Sequence, residues 1–214
     1  MDVLIVQPKG GLGNRIRVVF SYLIIAIEKN AKLAINWKKD RYCPAHFLDI
    51  FAPIPEVDFV KAVPLIKTSR KADVKQSHYI QTLRLLKPKN IVAIEEKVRE
   101  MGERYGAVHI RRTDHVELAR KNGRYVGLEY FEEFIGKWDK CFLATDCEKT
   151  QRYLMEKYPQ VIVWKKIEKR RGELRQTAME DGVADMWCCR YAKEFLGTPF
   201  SSFSDTITLL RRLK

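Results

Sequence analysis

Gly106-Ala107-Val108-His109-Ile110-Arg111-Arg112-Thr113-Asp114 is the stretch that decides the fold. Ala107 to Ile110 is a short, nearly unbroken apolar run behind a glycine, the pattern of a strand buried on both faces. It ends abruptly in two arginines, a threonine and an aspartate, so the chain leaves the sheet there with its charge concentrated at the strand's carboxyl end. Residues 127–138 carry Leu128, Phe131, Ile135 and Trp138 at helical spacing. Residues 141–144 read as a strand, 148–157 as a helix closed by Pro159, and 161–164 as another strand. After a basic loop come a helix at 182–192, a strand at 194–196 and a last helix at 202–213. Strand and helix alternate throughout, which predicts a parallel sheet with helices on both faces.

The first half begins the same way. Val3-Leu4-Ile5-Val6 reads as a strand and Gly10-Gly11-Leu12-Gly13 as a loop. Residues 14–29 read as a helix with Ile16, Val19, Phe20, Leu23 and Ile27 on one side, and 33–37 as the next strand. Pro44, Pro53, Pro55, Pro64 and Pro88 break 40–90 into short pieces. Residues 91–104 end the half as a helix, with Glu95 and Glu96 early and Arg99 and Arg104 late, as the helix dipole favours. There is no internal repeat, low-complexity tract or Gly/Ser linker. The expected organisation is α/β, with two Rossmann-like halves at 1–104 and 105–214.

Composition narrows the function classes. The 214 residues are 46% hydrophobic, which supports a core and excludes a disordered chain. The longest apolar run, 18–27, is interrupted by Ser21 and Tyr22 and is too short and mixed to cross a bilayer. No basic region precedes the first strand, so no leader peptide is expected. Five cysteines without a C-x-x-C pair point to reduced thiols and a cytoplasmic setting. The formal charge of +13 suits a solvated basic surface, a nucleic-acid partner or a polyanionic substrate such as a sugar nucleotide. Its local cluster, 165–175, also holds Glu168 and Glu173.

Four constellations carry chemistry. Gly10-Gly11-Leu12-Gly13-Asn14-Arg15 lies between a strand and a helix, where glycines admit a ligand to the backbone and the helix terminus favours an anion. It is neither a Walker loop nor the full dinucleotide fingerprint, and a tight turn capped by Asn14 is the plainer alternative. His109-Ile110-Arg111-Arg112-Thr113-Asp114 leaves the strand end at which open α/β sheets bind ligands, and an arginine there can hold a diphosphate through paired hydrogen bonds. Structural pairing with Asp114 is the alternative. Thr145-Asp146-Cys147-Glu148 has the spacing of a capping box. Gly197-Thr198-Pro199-Phe200-Ser201-Ser202 joins a strand to the last helix, where the serines can hold a phosphate or Ser202 can cap the helix. Asp185, upstream, is either an exposed charge or a base-reading carboxylate.

Other chemistries find no support. His46, His78, His109 and His115 show neither H-E-x-x-H nor zinc spacing, and there is no G-x-S-x-G elbow. Cys188-Cys189 sits in an apolar helix and reads as core.

Taken in order, these residues resemble the fucosyltransferase superfamily of GT-B fold, which includes core α1,6-, nodulation and protein O-fucosyltransferases. The glycine-asparagine loop, the H-x-R-R-T-D segment, Phe142-Leu143-Ala144-Thr145-Asp146, and the span from Asp185 to Ser202 are similar to its successive motifs. The resemblance implies a compact GT-B-like fold, with acceptor binding in 1–104 and donor binding in 105–214. It implies an inverting, metal-independent transfer, most simply of fucose from GDP-fucose, with no cofactor besides the donor. Arg111 would bind the β-phosphate and stabilise the leaving diphosphate, and Arg112 would support the donor site. Asp185 would read guanine, Ser201 and Ser202 would hold phosphate oxygens, and His109 and Asp146 would shape the pocket. Gly11, Gly13 and Asn14 would reach the donor from the other half. Glu117 is the candidate general base and Asp114 its rival. The implied partners are a nucleotide sugar and a glycan or other hydroxyl acceptor, with no nucleic acid and no integral membrane segment. Two alternatives stand beside this reading: a basic nucleic-acid-binding module, and an inactive relative that only binds a sugar nucleotide.

Overall fold

The computed structural model describes residues 2–113, 116–165 and 178–213. It divides into two compact units, Met1–Lys89 with Arg212–Lys214, and Asn90–Arg211.

The first unit contains β1 (Val3–Pro8), α1 (Leu12–Glu28), β2 (Lys32–Ile35), α2 (Phe47–Ile50), β3 (Val57–Phe59), β4 (Ile66–Thr68) and α3 (Gln76–Thr82). Its sheet is parallel, in the order β3-β2-β1-β4. The second unit contains α4 (Ile91–Met101), β5 (Gly106–Ile110), α5 (Val116–Lys121), α6 (Glu129–Ile135), β6 (Cys141–Thr145) and α7 (Glu148–Lys157). It continues with β7 (Val161–Ile162), α8 (Met179–Tyr191), β8 (Glu194–Gly197) and α9 (Ser202–Arg211). Its sheet is also parallel, in the order β7-β6-β5-β8. One topology is therefore built twice, third-second-first-fourth. In each sheet the strand order reverses beside the first strand, between β1 and β4 and between β5 and β8. Such switch points leave a crevice at the strands' carboxyl ends, where open α/β sheets bind ligands.

The apolar runs explain the second unit's core. β5 and β6 are buried along their whole length. Val108, Ile110, Phe131, Ile135, Cys141, Leu143, Leu154 and Val161 form one cluster, with Leu128 and Trp138 packed against its edge. The spacing read at 127–138 thus delivers Phe131 and Ile135 to the sheet. α8 is buried around most of its circumference, its aspartates Asp181 and Asp185 included. It packs on β5, β6, α4 and α9.

The structure moves several expected boundaries. The division falls at Lys89–Asn90 instead of at 104, because α4 packs against α8 and belongs to the second unit. That helix stops at Met101, and Gly102 follows at φ 80°, a left-handed conformation suited to glycine. The strand expected at 161–164 is only Val161–Ile162. The proline-broken stretch resolves into α2, β3, β4 and α3, and α5 was not expected at all. Beyond Lys165, the basic cluster lies outside the described residues, as does Asp114.

The two sheets differ most in their last crossover. The chain from β7 to β8 contains α8, whereas β3 reaches β4 through residues 60–65 with no helix.

Candidate functional site

In the second unit, the segment leaving β5 is pinned from both sides. Thr198, just past β8, donates its hydroxyl to the His109 carbonyl at 2.7 Å and accepts the Arg111 N–H at 2.9 Å. Its own N–H donates to the same carbonyl at 3.0 Å. On the other flank, Asp146 accepts the Arg112 N–H through Oδ1 at 2.8 Å and the Thr113 hydroxyl through Oδ2 at 2.6 Å. Thr145 Oγ1 donates to the Ile110 carbonyl at 2.7 Å and accepts the Cys147 N–H at 3.3 Å. The backbone of Arg111 and Arg112 and the side chain of Thr113 are thereby held at the β5–β8 switch point. Each such bond contributes about 1 kcal/mol net, more where a carboxylate accepts.

Thr145 is therefore a strand-end clamp, and the expected capping box does not form. The α7 N-cap is Cys147, with no side-chain cap bond.

The side chains divide the labour. Arg111 is half-buried where β5 ends. The Arg112 guanidinium donates to the Val126 carbonyl at 2.9 Å. It also lies over the rings of Tyr125 and Phe131, at 5.2 and 5.9 Å. Arg112 thus holds Tyr125 and Val126 against the end of β5. Buried His109 shares a hydrogen bond between Nδ1 and Ser204 Oγ at 2.7 Å, with its ring 4.7 Å from that of Phe203. These contacts tie β5 to the first turn of α9.

Ser201, not Ser202, caps α9. It is fully buried, its carbonyl accepts the Asp205 N–H at 2.9 Å, and its Oγ accepts the Ser204 N–H at 3.4 Å. Ser202 is the first helical residue and is half-buried. Just before them Phe200 stands at φ 59°, an uncommon conformation for an aromatic residue, and Arg124 lies 3.3 Å from its ring centre.

Asp185 lies on α8 and is only 3% exposed. Burial first, and Asp185 second, push the Cys189 thiol well above its ordinary range. Burial alone pushes Cys141 up to about 12. Tyr105 is raised further, also mainly by burial, and donates to the Cys188 carbonyl at 2.7 Å. Cys188 and Cys189 are core residues, as the sequence suggested. Glu117 is exposed on α5.

In the first unit the glycine loop is also braced. Gly10 has φ 81°, a conformation that favours glycine, and a Cβ there would displace the Asn14 side chain. The helix starts at Leu12 with Gly11 as its cap, so Asn14 is a helical residue and not the cap. The N–H groups of Leu12, Gly13 and Asn14 are in the first turn, where no intrahelical partner exists.

Arg15 is fully buried and supplies the brace. Its Nε donates to the Gly10 carbonyl at 2.8 Å and Nη1 to the Lys38 carbonyl at 2.6 Å. Nη2 pairs with Asp40 at 2.6 Å, and the guanidinium lies 5.1 Å from the Trp37 ring centre.

Sequence reasoning missed Thr198 as a clamp and Arg15 with Asp40 as a brace. Thr198 had a signal, a hydroxyl between Gly197 at a strand end and Pro199. Asp40 had none, being 25 residues from Arg15. Among the described residues, no three His, Cys, Asp or Glu side chains converge as a metal-ligand set.

No family model matches the sequence, and no curated protein matches it either. Solved structures do. The NodZ alpha-1,6-fucosyltransferase soaked with GDP-fucose aligns with a TM-score of 0.71 at 15% identity, over 98% of this chain and 92% of that one. Fucosyltransferase NodZ from Bradyrhizobium aligns at 0.67 over the same shares, also at 15% identity. POFUT1 in complex with GDP aligns at 0.64 and 12% identity, over 98% of this chain and 94% of that one. The two-unit α/β architecture of this chain is the fold of these fucosyltransferase structures, as the resemblance in the sequence implied.

Proposed function

We propose that this chain is an inverting, metal-independent glycosyltransferase that moves fucose from GDP-fucose to the hydroxyl of a glycan or other acceptor. The observation that carries the reading is the placement of Arg111. It stands at the β5–β8 switch point, its N–H held by Thr198, beside the amino end of α9. The relatives in fold include structures with GDP or GDP-fucose bound.

In this reaction the acceptor oxygen attacks C1 of the sugar as the bond from C1 to the β-phosphate oxygen breaks. The electron pair leaves with GDP, and negative charge grows on the diphosphate. A guanidinium and a helix amino terminus already in place stabilise that charge with little reorganisation. Ser201 contributes through the helix it caps, and Ser202 from the first turn. Gly11, Gly13 and Asn14, at the amino end of α1, offer a further helix terminus suited to an anion. Glu117, or Asp114, takes the acceptor proton. Asp185 recognises guanine in this reading, which requires its buried carboxylate to become accessible when the nucleotide binds. Attack from the face opposite the leaving group inverts the anomeric centre.

Calorimetric titration with GDP, UDP and dTDP tests the donor assignment. GDP is expected to bind most tightly, and Arg111→Ala to weaken it about tenfold to a hundredfold, the worth of a charge-assisted contact. Absence of nucleotide binding, or unchanged GDP affinity in Arg111→Ala, overturns the reading. Turnover of GDP-fucose in excess chelator, with the product's anomeric configuration read by NMR, tests metal independence and inversion.

A further inference from the structure

The chain between β3 and β4 crosses one face of the first sheet, and its side chains identify that face. Residues in register on neighbouring parallel strands point the same way. Val3 pairs with Lys32, Ile5 with Ala34, Ala34 with Asp58, and Gln7 with Lys67, so these residues share a face. Asn36, next on that face after Ala34, donates its side-chain amide to the Ala62 carbonyl. The Leu65 N–H donates to the Ile5 carbonyl at 3.0 Å. That last bond extends the β1–β4 ladder, and the Asn36–Ala62 bond places the chain between, residues 61–64, over this face as a strap. Parallel strands are usually joined by a longer crossover carrying a helix, and α8 supplies one in the second sheet.

The strap and the residue after it turn apolar side chains outward. Val63 is 86% exposed and Leu65 72% exposed, the two highest values among the large hydrophobic residues described. Val3, on the same face, is 47% exposed. Lys61 and Lys67 flank the pair and are exposed, and so is Lys32. Arg70 and Lys75 continue the basic run, with Asp2, Glu56, Asp58 and Asp73 as the nearby exposed carboxylates.

The geometry points to a peripheral binding surface for an anionic phospholipid membrane, with Val63-Pro64-Leu65 entering the headgroup boundary and Lys61, Lys67 and Lys32 meeting lipid phosphates. A protruding apolar tip ringed by lysines is the arrangement that interfacial binding requires, because apolar burial and charge attraction then add. The lysines that flank the tip, Lys61 and Lys67, favour an anionic surface as its occupant. The proposal goes beyond the transferase reading and does not depend on it.

Flotation of the full chain with phosphatidylcholine vesicles, with and without phosphatidylserine, tests it. Binding is expected only with phosphatidylserine and to weaken as salt rises. The double substitution Val63→Glu with Leu65→Glu is expected to reduce the bound fraction's partition coefficient about tenfold or more. Val92→Glu, at an exposed position on α4, is expected to lower it by less than about twofold. Both sites are exposed, and circular dichroism confirms folding. No binding to anionic vesicles overturns the proposal. So does equal loss in Val63→Glu/Leu65→Glu and Val92→Glu, which would mean adsorption by net charge alone. A dimer in light scattering that the double substitution abolishes, without vesicle binding, assigns the surface to self-association instead. GDP titration of the double variant keeps the two readings separate, since nucleotide affinity is expected to be unchanged.

Discussion

The two sheets share one strand order and differ in what fills the last crossover. In the second unit α8 covers β5 and β6 and carries a buried tryptophan, Trp187, along with Val183, Met186, Cys188 and Cys189. In the first unit the same step is a six-residue connection, 60–65, that leaves Val63 and Leu65 in solvent. The topology of a Rossmann-like half thus tolerates replacement of a packed helix by extended chain, provided that the switch point stays intact. Both switch points are intact here, one braced by Arg15 and the other clamped by Thr198 and Asp146.

Three substitutions test this contrast. Trp187→Ala removes the largest fully buried side chain of the filled crossover and is expected to cost about 3–5 kcal/mol in urea denaturation. Thr198→Val keeps the shape but leaves the Arg111 N–H without its hydroxyl partner. The expected cost is about 1–2 kcal/mol, with a loss of GDP affinity exceeding that of Trp187→Ala in whatever fraction remains folded. Val63→Ser, on the strap, is expected to change stability by less than about 0.5 kcal/mol. A large loss from Val63→Ser would show that the strap packs as α8 does, and the contrast would fall.

Much of the second unit was legible because burial there is simple. A run such as Ala107 to Ile110 has only one place to go, and Phe131 and Ile135 announce their face by spacing. The site was legible as a place, a strand end carrying Arg111. The reach of its side chains was not. Asp146 looked like a capping or pocket residue because its partners, Arg112 and Thr113, are more than thirty positions away and meet it only after β5 and β6 pair. The N-cap of α9 was misplaced by one residue, since two adjacent serines satisfy the same rule and only the backbone selects Ser201. The stretch 40–90 was obscure for another reason. Its strands are three residues long, too short to show a period, and proline signals breaks without saying what lies between them.

Arg15 has a use for the spectroscopist. Trp37, which its guanidinium overlies, is the only tryptophan in the first unit, whereas Trp138, Trp164 and Trp187 belong to the second. A chain keeping Trp37 alone, with the other three changed to phenylalanine, emits from the brace of the glycine loop. A Trp37→Phe chain emits only from the other unit. The fluorescence of this pair separates two melting events that a single calorimetric peak would merge, and shows which half tightens when a nucleotide is added.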